Sequence, residues 1–129
     1  MGEQSALSPD DRYEIENTLN RVAYVLDEHE YTRLGEVFAS NIEFDNPGRL
    51  TASGLDAVIA AFQKIATPAI SHHITNVVIT PTDADNAECI SKALTLRQGG
   101  AVTAAIYRDT VTRAGETWLI TSRRITPLG

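Results

Sequence analysis

From Ile15 the apolar residues recur at steps of four, three and four: Ile15, Leu19, Val22 and Leu26. That spacing lays them along one face of a helix. The preceding "SPDD" supplies the start. Ser8 suits the N-cap, Pro9 the first helical position, and Asp10 and Asp11 the positive end of the helix dipole. The pattern carries to about Glu30. "TRLGEVFA" (32–39) predicts a second, short helix with Leu34, Val37 and Phe38 inward. "NIEFDN" (41–46) alternates as a strand and stops at Pro47-Gly48. "SGLDAVIAAFQKIA" (53–66) predicts a third helix, capped by Ser53, that buries Leu55, Ile59, Phe62 and Ile65 or Ala66.

The second half changes period. Four β-rich runs, roughly 71–81, 86–97, 101–113 and 117–126, are separated by "PTDADN", "QGG" and "RAGE", all turn chemistry. Helices and one short strand, then strands joined by tight turns, predict the α+β class: a curved, mostly antiparallel sheet wrapped around three N-terminal helices. A long twisted antiparallel sheet curls. Helices on the concave face leave a cone with a pocket at one end. Polar groups facing it are partly desolvated, and there pKa values move.

The chain's 129 residues suit one domain over 1–129, with residues 1–7 as a loose tail. At 43% hydrophobic and 22% charged it can bury a true core. A formal net charge of −6 argues against nucleic acid or an anionic membrane surface as partner. Cys89 stands alone, which excludes an intrachain disulfide. The acidic start "MGEQSALSPDD" has no apolar stretch of a signal peptide, and Ala6 occupies the position where Met1-Gly2 would need Ser or Thr for myristoylation. No apolar run approaches the ~18 residues of a membrane span. The expectation is a soluble, cytoplasmic protein.

Two of three histidines are adjacent, His72 and His73 in "SHHITN". On a strand they face opposite ways, so one points inward. Alternation groups His72 with Ile74, Asn76 and Val78, and His73 with Thr75, Val77 and Ile79. Both sets are mixed, and alternation does not choose. One histidine is either a satisfied core or edge residue, or a pocket acid–base group. Asp27 ends "YVLD" at the rim of the helical stripe; it is a solvated acid, or a carboxylate that orients an imidazole. Tyr24 lies three residues before Asp27, and Tyr107 shares a strand face with Asp109. Each tyrosine either orients a ligand carbonyl or is a ring buried up to its hydroxyl. Trp118 reads as core, and an ion pair of Arg123 or Arg124 with Asp109 or Glu116 reads as structural. No dinucleotide, P-loop, CxxC or HExxH motif occurs. Asp27 with one histidine falls short of a zinc site, so neither metal nor organic cofactor is expected.

The ordered set "LDEHEYTRLGEVFASNIEFDNPG", "GLDAVIAAF", "HHITN" and "YRDTVTR…WLITSRR" resembles SnoaL-like proteins of the nuclear-transport-factor-2-like superfamily, relatives of scytalone dehydratase, the polyketide cyclases and ketosteroid isomerase. The resemblance spans about residues 8 to 126. It implies a cone-shaped barrel of about six strands with a deep apolar pocket, commonly a homodimer through the sheet. It puts Asp27 in the place of the dehydratases' acid and His72 in that of their histidine. His73 falls where a large apolar residue is frequent, and Leu26 replaces a tyrosine. Another pocket tyrosine falls near Asn46, a second histidine at Gln98 and an asparagine at Tyr107. Substrate contacts are thus expected from Tyr24, Asn46, His73, Tyr107 and Asp109, around a catalytic Asp27–His72 pair.

Three functions follow. The first is a cofactor-independent lyase, isomerase or cyclase acting on a small apolar carbonyl compound of polyketide, steroid or terpenoid type. His72 would take a proton α to the carbonyl, with Tyr107 or Tyr24 stabilising the enolate. The second is a non-catalytic ligand-binding or dimeric interaction module. The third is the small subunit of an oxygenase. The state of the cavity separates the first two: room beside the pair, or a plug of side chains.

Overall fold

The structure is a computed structural model, and it describes residues 7–129. The tail expected over 1–7 therefore lies outside the described residues except for Leu7, which is buried and joins the core.

Helix α1 (Pro9–Asp27) starts as the sequence dictates. The Ser8 hydroxyl accepts from the Asp11 amide at 3.0 Å, and the Asp11 carboxylate accepts from the Ser8 amide at 3.3 Å. The helix ends three residues earlier than expected. His29 takes a left-handed φ of 58°, its amide donates to the Leu26 carbonyl, and the Glu30 amide donates to the Val25 carbonyl. This pair of bonds is a Schellman stop, built on histidine where glycine is usual. It leaves Asp27 as the last helical residue. Ile15, Leu19, Val22 and Leu26 are buried as the spacing requires, each contributing roughly 1.5–3 kcal/mol by removal from water.

A 3-10 turn (Tyr31–Glu36) replaces the expected second helix, and Phe38 already belongs to strand β1 (Phe38–Asn46). Leu34, Val37 and Phe38 are nonetheless buried. A short strand β2 (Leu50–Ser53), absent from the sequence reading, folds back on β1. This takes Ser53 out of the cap of α2 (Leu55–Gln63): Gly54 is the N-cap residue, and the Ser53 hydroxyl donates to Glu43 at 2.6 Å. Val58 is the buried residue of α2, with Leu55, Ile59 and Phe62 packed at the edge of the core; Ile65 and Ala66 lie past the helix and are exposed.

Strands β3 (Ser71–Asp83), β4 (Asn86–Leu96), β5 (Val102–Ala114) and β6 (Thr117–Leu128) match the four β-rich runs. The sheet order is β2-β1-β6-β5-β4-β3. Every pairing is antiparallel except β1 with β6. The result is the expected curved, mostly antiparallel sheet of six strands, which stays unclosed rather than forming a full barrel. Its concave side takes α1 and α2. Thr18 ties α1 to the sheet by donating to the Trp118 carbonyl at 2.8 Å in the core. Arg113 adds a second tie. Its guanidinium pairs with Asp11 at 2.9 Å and with Asp85 at 3.1 Å, and lies 4.7 Å from the Trp118 ring centre. Its bonds to Asp11 hold that carboxyl down at about 2.

The two mixed faces of "HHITNVVI" have a local cause. The register of β3 with β4 slips between Thr75 and Val78, and Asn76 has a φ of 56°. One extra residue resets the alternation. His72 and Ile74 face inward before the bulge, and Val77 and Ile79 face inward after it. No helix among the described residues is long and apolar enough to cross a membrane.

The bulge gives a direct test. Asparagine tolerates the left-handed region and a β-branched residue does not. Asn76→Gly is expected to fold like the parent, whereas Asn76→Val lowers stability by about 1–2 kcal/mol, read by urea denaturation.

Candidate active site

The concave side holds a cavity of about 610 Å³, within the range that takes a small organic ligand. Leu26, Tyr31, Phe44, Phe62 and Ile125 form apolar walls. Tyr31 stacks on Phe62 with ring centres 5.8 Å apart, and Phe62 meets Phe44 edge-on at 5.4 Å. The cavity is therefore lined and open rather than plugged.

His72 lines this space. Asp27, at the C-terminal end of α1, holds it with both oxygens. Oδ2 accepts the His72 amide at 3.0 Å, and Oδ1 lies 2.7 Å from Nδ1. The side chains are 18% and 20% exposed, so water screens the contact only partly. A carboxylate at a helix C-terminus meets the negative end of the dipole, and no basic residue sits in the last turn. The two bonds from His72 offset that cost. With Nδ1–H donating to Asp27, Nε2 is left as a bare acceptor, and no other described side chain bonds it.

Tyr107 and Thr95 line the same cavity. Thr95 pairs with His72 in the β3–β4 register. Tyr107 is buried in the cavity wall, and burial pushes its phenol above the ordinary value, so it holds its proton and can donate. Asn46 also lines the cavity, and its side-chain oxygen is buried without a partner among the described residues.

Three expected contact residues lie elsewhere. Tyr24 is 69% exposed. It precedes Asp27 by nearly a turn, yet follows Val22 by two residues, which turns it away from the buried stripe. His73 is exposed on the outer sheet face, where its Nε2 lies 2.9 Å from the Ser71 hydroxyl. Asp109 shares the inward face of β5 with Tyr107, but lies two residues deeper and does not line the cavity. Both of its oxygens are taken by Arg123, at 2.7 and 2.9 Å, in a pair that is almost fully buried.

Arg123 itself was missed as a cavity residue. Burial alone would lower its pKa; the Asp109 carboxylate outweighs this, and the net shift is upward. Its guanidinium lies 4.5 Å from the Tyr107 ring centre and lines the cavity. The structural ion pair read from the sequence is present, with Arg123 as the inward member. Arg49, Arg97 and Tyr31 were also missed; two of them lie at hairpin turns, where alternation gives no signal. Gln98 is exposed and donates to the Pro68 carbonyl at 3.4 Å, outside the cavity wall. Cys89 is buried, and burial pushes its thiol up to about 12, which leaves it inert. Among the described residues no cluster of three metal-ligating side chains occurs.

The model of the SnoaL-like domain family matches residues 8–124. The chain belongs to that family. Among solved structures, a candidate scytalone dehydratase from Novosphingobium aromaticivorans is 22% identical, with a TM-score of 0.79 over 92% of this chain and 84% of that one. LinA is 20% identical, with a TM-score of 0.79 over 92% and 89%. A cystatin-like protein of unknown function from Nostoc punctiforme is 20% identical, with a TM-score of 0.81 over 95% and 94%. At these identities the likeness is one of fold. No curated protein matches the chain significantly.

The Asp109–Arg123 pair should matter for stability before it matters for chemistry. Removing one partner strands a buried charge, so Asp109→Asn is expected to cost about 3–5 kcal/mol in urea denaturation. The double change Asp109→Leu with Arg123→Leu should recover most of that loss, since neither charge is then left buried alone.

Proposed function

We propose that the protein is a cofactor-independent lyase or isomerase that moves a proton on a small carbonyl compound bound in the cavity. The observation that carries this is the 2.7 Å contact of Asp27 with His72 Nδ1 at an open, ligand-sized space. The family's fold suits dehydratase and isomerase chemistry, and dehydratase and dehydrochlorinase are the descriptions carried by two of the structural relatives.

The chemistry follows from the geometry. His72 Nε2 takes the proton from the carbon next to the carbonyl, and the C–H electron pair moves to the carbonyl oxygen as an enolate. Asp27 stabilises the imidazolium through Nδ1–H. Tyr107, buried and protonated, donates to the enolate oxygen, with Asn46 as a second polar contact. The enolate then expels a β-substituent such as hydroxide, which leaves as water with the proton from His72, or recovers that proton at another carbon. A positioned base contributes about 10²–10⁴-fold, and an oxyanion donor in a water-poor site about 10²–10³-fold.

A panel of β-hydroxy ketones and unsaturated cyclic ketones in D₂O tests this, with α-proton exchange followed by NMR. The wild type should catalyse exchange on at least one member. His72→Ala should lower that rate by about 10²-fold or more. Asp27→Asn should keep the fold and the KM while kcat drops, because the amide cannot hold the productive tautomer. His73→Ala should matter little. Wild-type exchange in His72→Ala, or none on any compound, refutes the reading.

We further infer a homodimer through the outer face of β3, β4 and β5. Val78, Ile90 and Leu94 are exposed there, and Ile106 lies on the neighbouring strand with its side chain on the same face. Lys92, Arg108 and Glu88 flank them with both signs of charge, which a two-fold copy can pair. A stable interface of this kind buries more than ~1,200 Å² in total. Sedimentation should give a dimer at micromolar concentration and a monomer for Ile90→Asp with Leu94→Asp; a monomeric wild type contradicts it.

A further inference from the structure

The chain carries a net charge of −6, yet three arginines line its cavity. Arg49, Arg97, Arg123 and His72 line it, and no aspartate or glutamate does. Asp109 neutralises Arg123 and Asp27 faces His72, so two arginines remain. Among the described residues, neither Arg49 nor Arg97 has a carboxylate within ion-pair distance. Arg49 is exposed and Arg97 only partly buried, so both guanidiniums are open to an anionic ligand.

Their placement is specific. Arg49 lies on the β1–β2 hairpin, whose turn is closed by its own amide donating to the Asn46 carbonyl at 2.9 Å. Arg97 lies at the β4–β5 hairpin, where its amide donates to the Ala101 carbonyl at 2.8 Å. The Arg97 Nε–H donates to the Thr103 hydroxyl at 3.1 Å, which fixes the plane of the guanidinium and leaves its two terminal nitrogens unused. Burial first, and then the Arg49 charge, push the Arg97 guanidinium down from its ordinary value, so the two cations feel each other across the mouth. Thr95 faces His72 in the register, and Arg97 is two residues further on, about 7 Å toward the mouth.

We propose that the substrate carries a carboxylate, held at the cavity mouth by Arg97 and Arg49, with the reacting carbon several bonds deeper at His72. The inference rests on the reaction proposed above and names its substrate class. A planar guanidinium with two free nitrogens suits a carboxylate in a two-bond fork, and the second arginine offsets the repulsion that an anion meets near an acidic protein. Leu26, Tyr31, Phe44, Phe62 and Ile125 offer apolar wall to a hydrocarbon or aromatic part of the molecule, with the hydroxyls of Thr95 and Thr103 on the strand side between Arg97 and His72.

Binding, which needs no turnover, tests it. Benzoate, 2-naphthoate and phenylpyruvate, each beside its primary amide, are titrated into the protein by calorimetry. At least one acid should bind about tenfold or more tighter than its amide. Added salt should shrink that advantage. Arg97→Gln and Arg49→Gln should each reduce it, and the double variant should abolish it. Arg97→Lys should retain part of it. Thermal melts confirm folding, and Arg49→Gln, on an exposed hairpin, serves alone if a change at Arg97 disturbs the fold. The inference is overturned if no acid binds tighter than its amide, or if the advantage survives in the folded variants. The two ideas separate cleanly. An acid preference without α-proton exchange leaves the binding inference standing and refutes the proposed reaction. Exchange on neutral ketones with no acid preference does the reverse.

Discussion

The bond between the last residue of α1 and the first turn-in of β3 organises the molecule. Asp27 grips His72 twice, once at the backbone and once at the ring. The backbone contact fixes the distance between helix and sheet. The ring contact fixes which nitrogen faces the cavity. A carboxylate that did only one of these jobs would leave either the strand or the imidazole free to rotate. The Schellman stop at His29 is part of the same device. It ends the helix with Asp27 still in helical geometry, so its side chain leans toward the sheet rather than into solvent.

A second ionic contact works one layer below. Asp109 and Arg123 are sealed from water, and a buried pair of this kind is weak evidence for stability. Its effect here is orientation. The guanidinium lies over the Tyr107 ring and reaches the cavity wall. Tyr107 is thus fixed on one side by a cation and faces the ligand space on the other. Asp109, which read as a cavity residue, instead holds the arginine that packs on one.

Much of this was legible in the sequence, and the exceptions have physical causes. The α1 stripe, its cap, the four long strands and their turns follow from period and turn chemistry alone. The inward histidine did not, because Asn76 inserts a residue into β3 and mixes both faces of the alternation. Strand β2 is four residues long and pairs with β1 alone, too short for a period to show. Tyr24 was misplaced because proximity to Asp27 along the chain is not the same as sharing its helical face. Asn46 and Tyr107 do line the cavity, whereas Arg49 and Arg97 left no periodic trace. Hairpin residues carry no alternation, and only the folded sheet brings two distant turns to one mouth.

The fold keeps Asp27 and His72 apart from the two hairpin arginines. Asp27 and His72 meet where a helix end reaches a strand, and both elements are held by core packing. The mouth is built by hairpins, whose residues pack against little and whose turns tolerate change. Arg49 and Arg97 can therefore be exchanged for other side chains without moving Asp27 or His72, because no hydrogen bond links the two groups. The cavity thus has a base held by helix and strand and a rim built by hairpins.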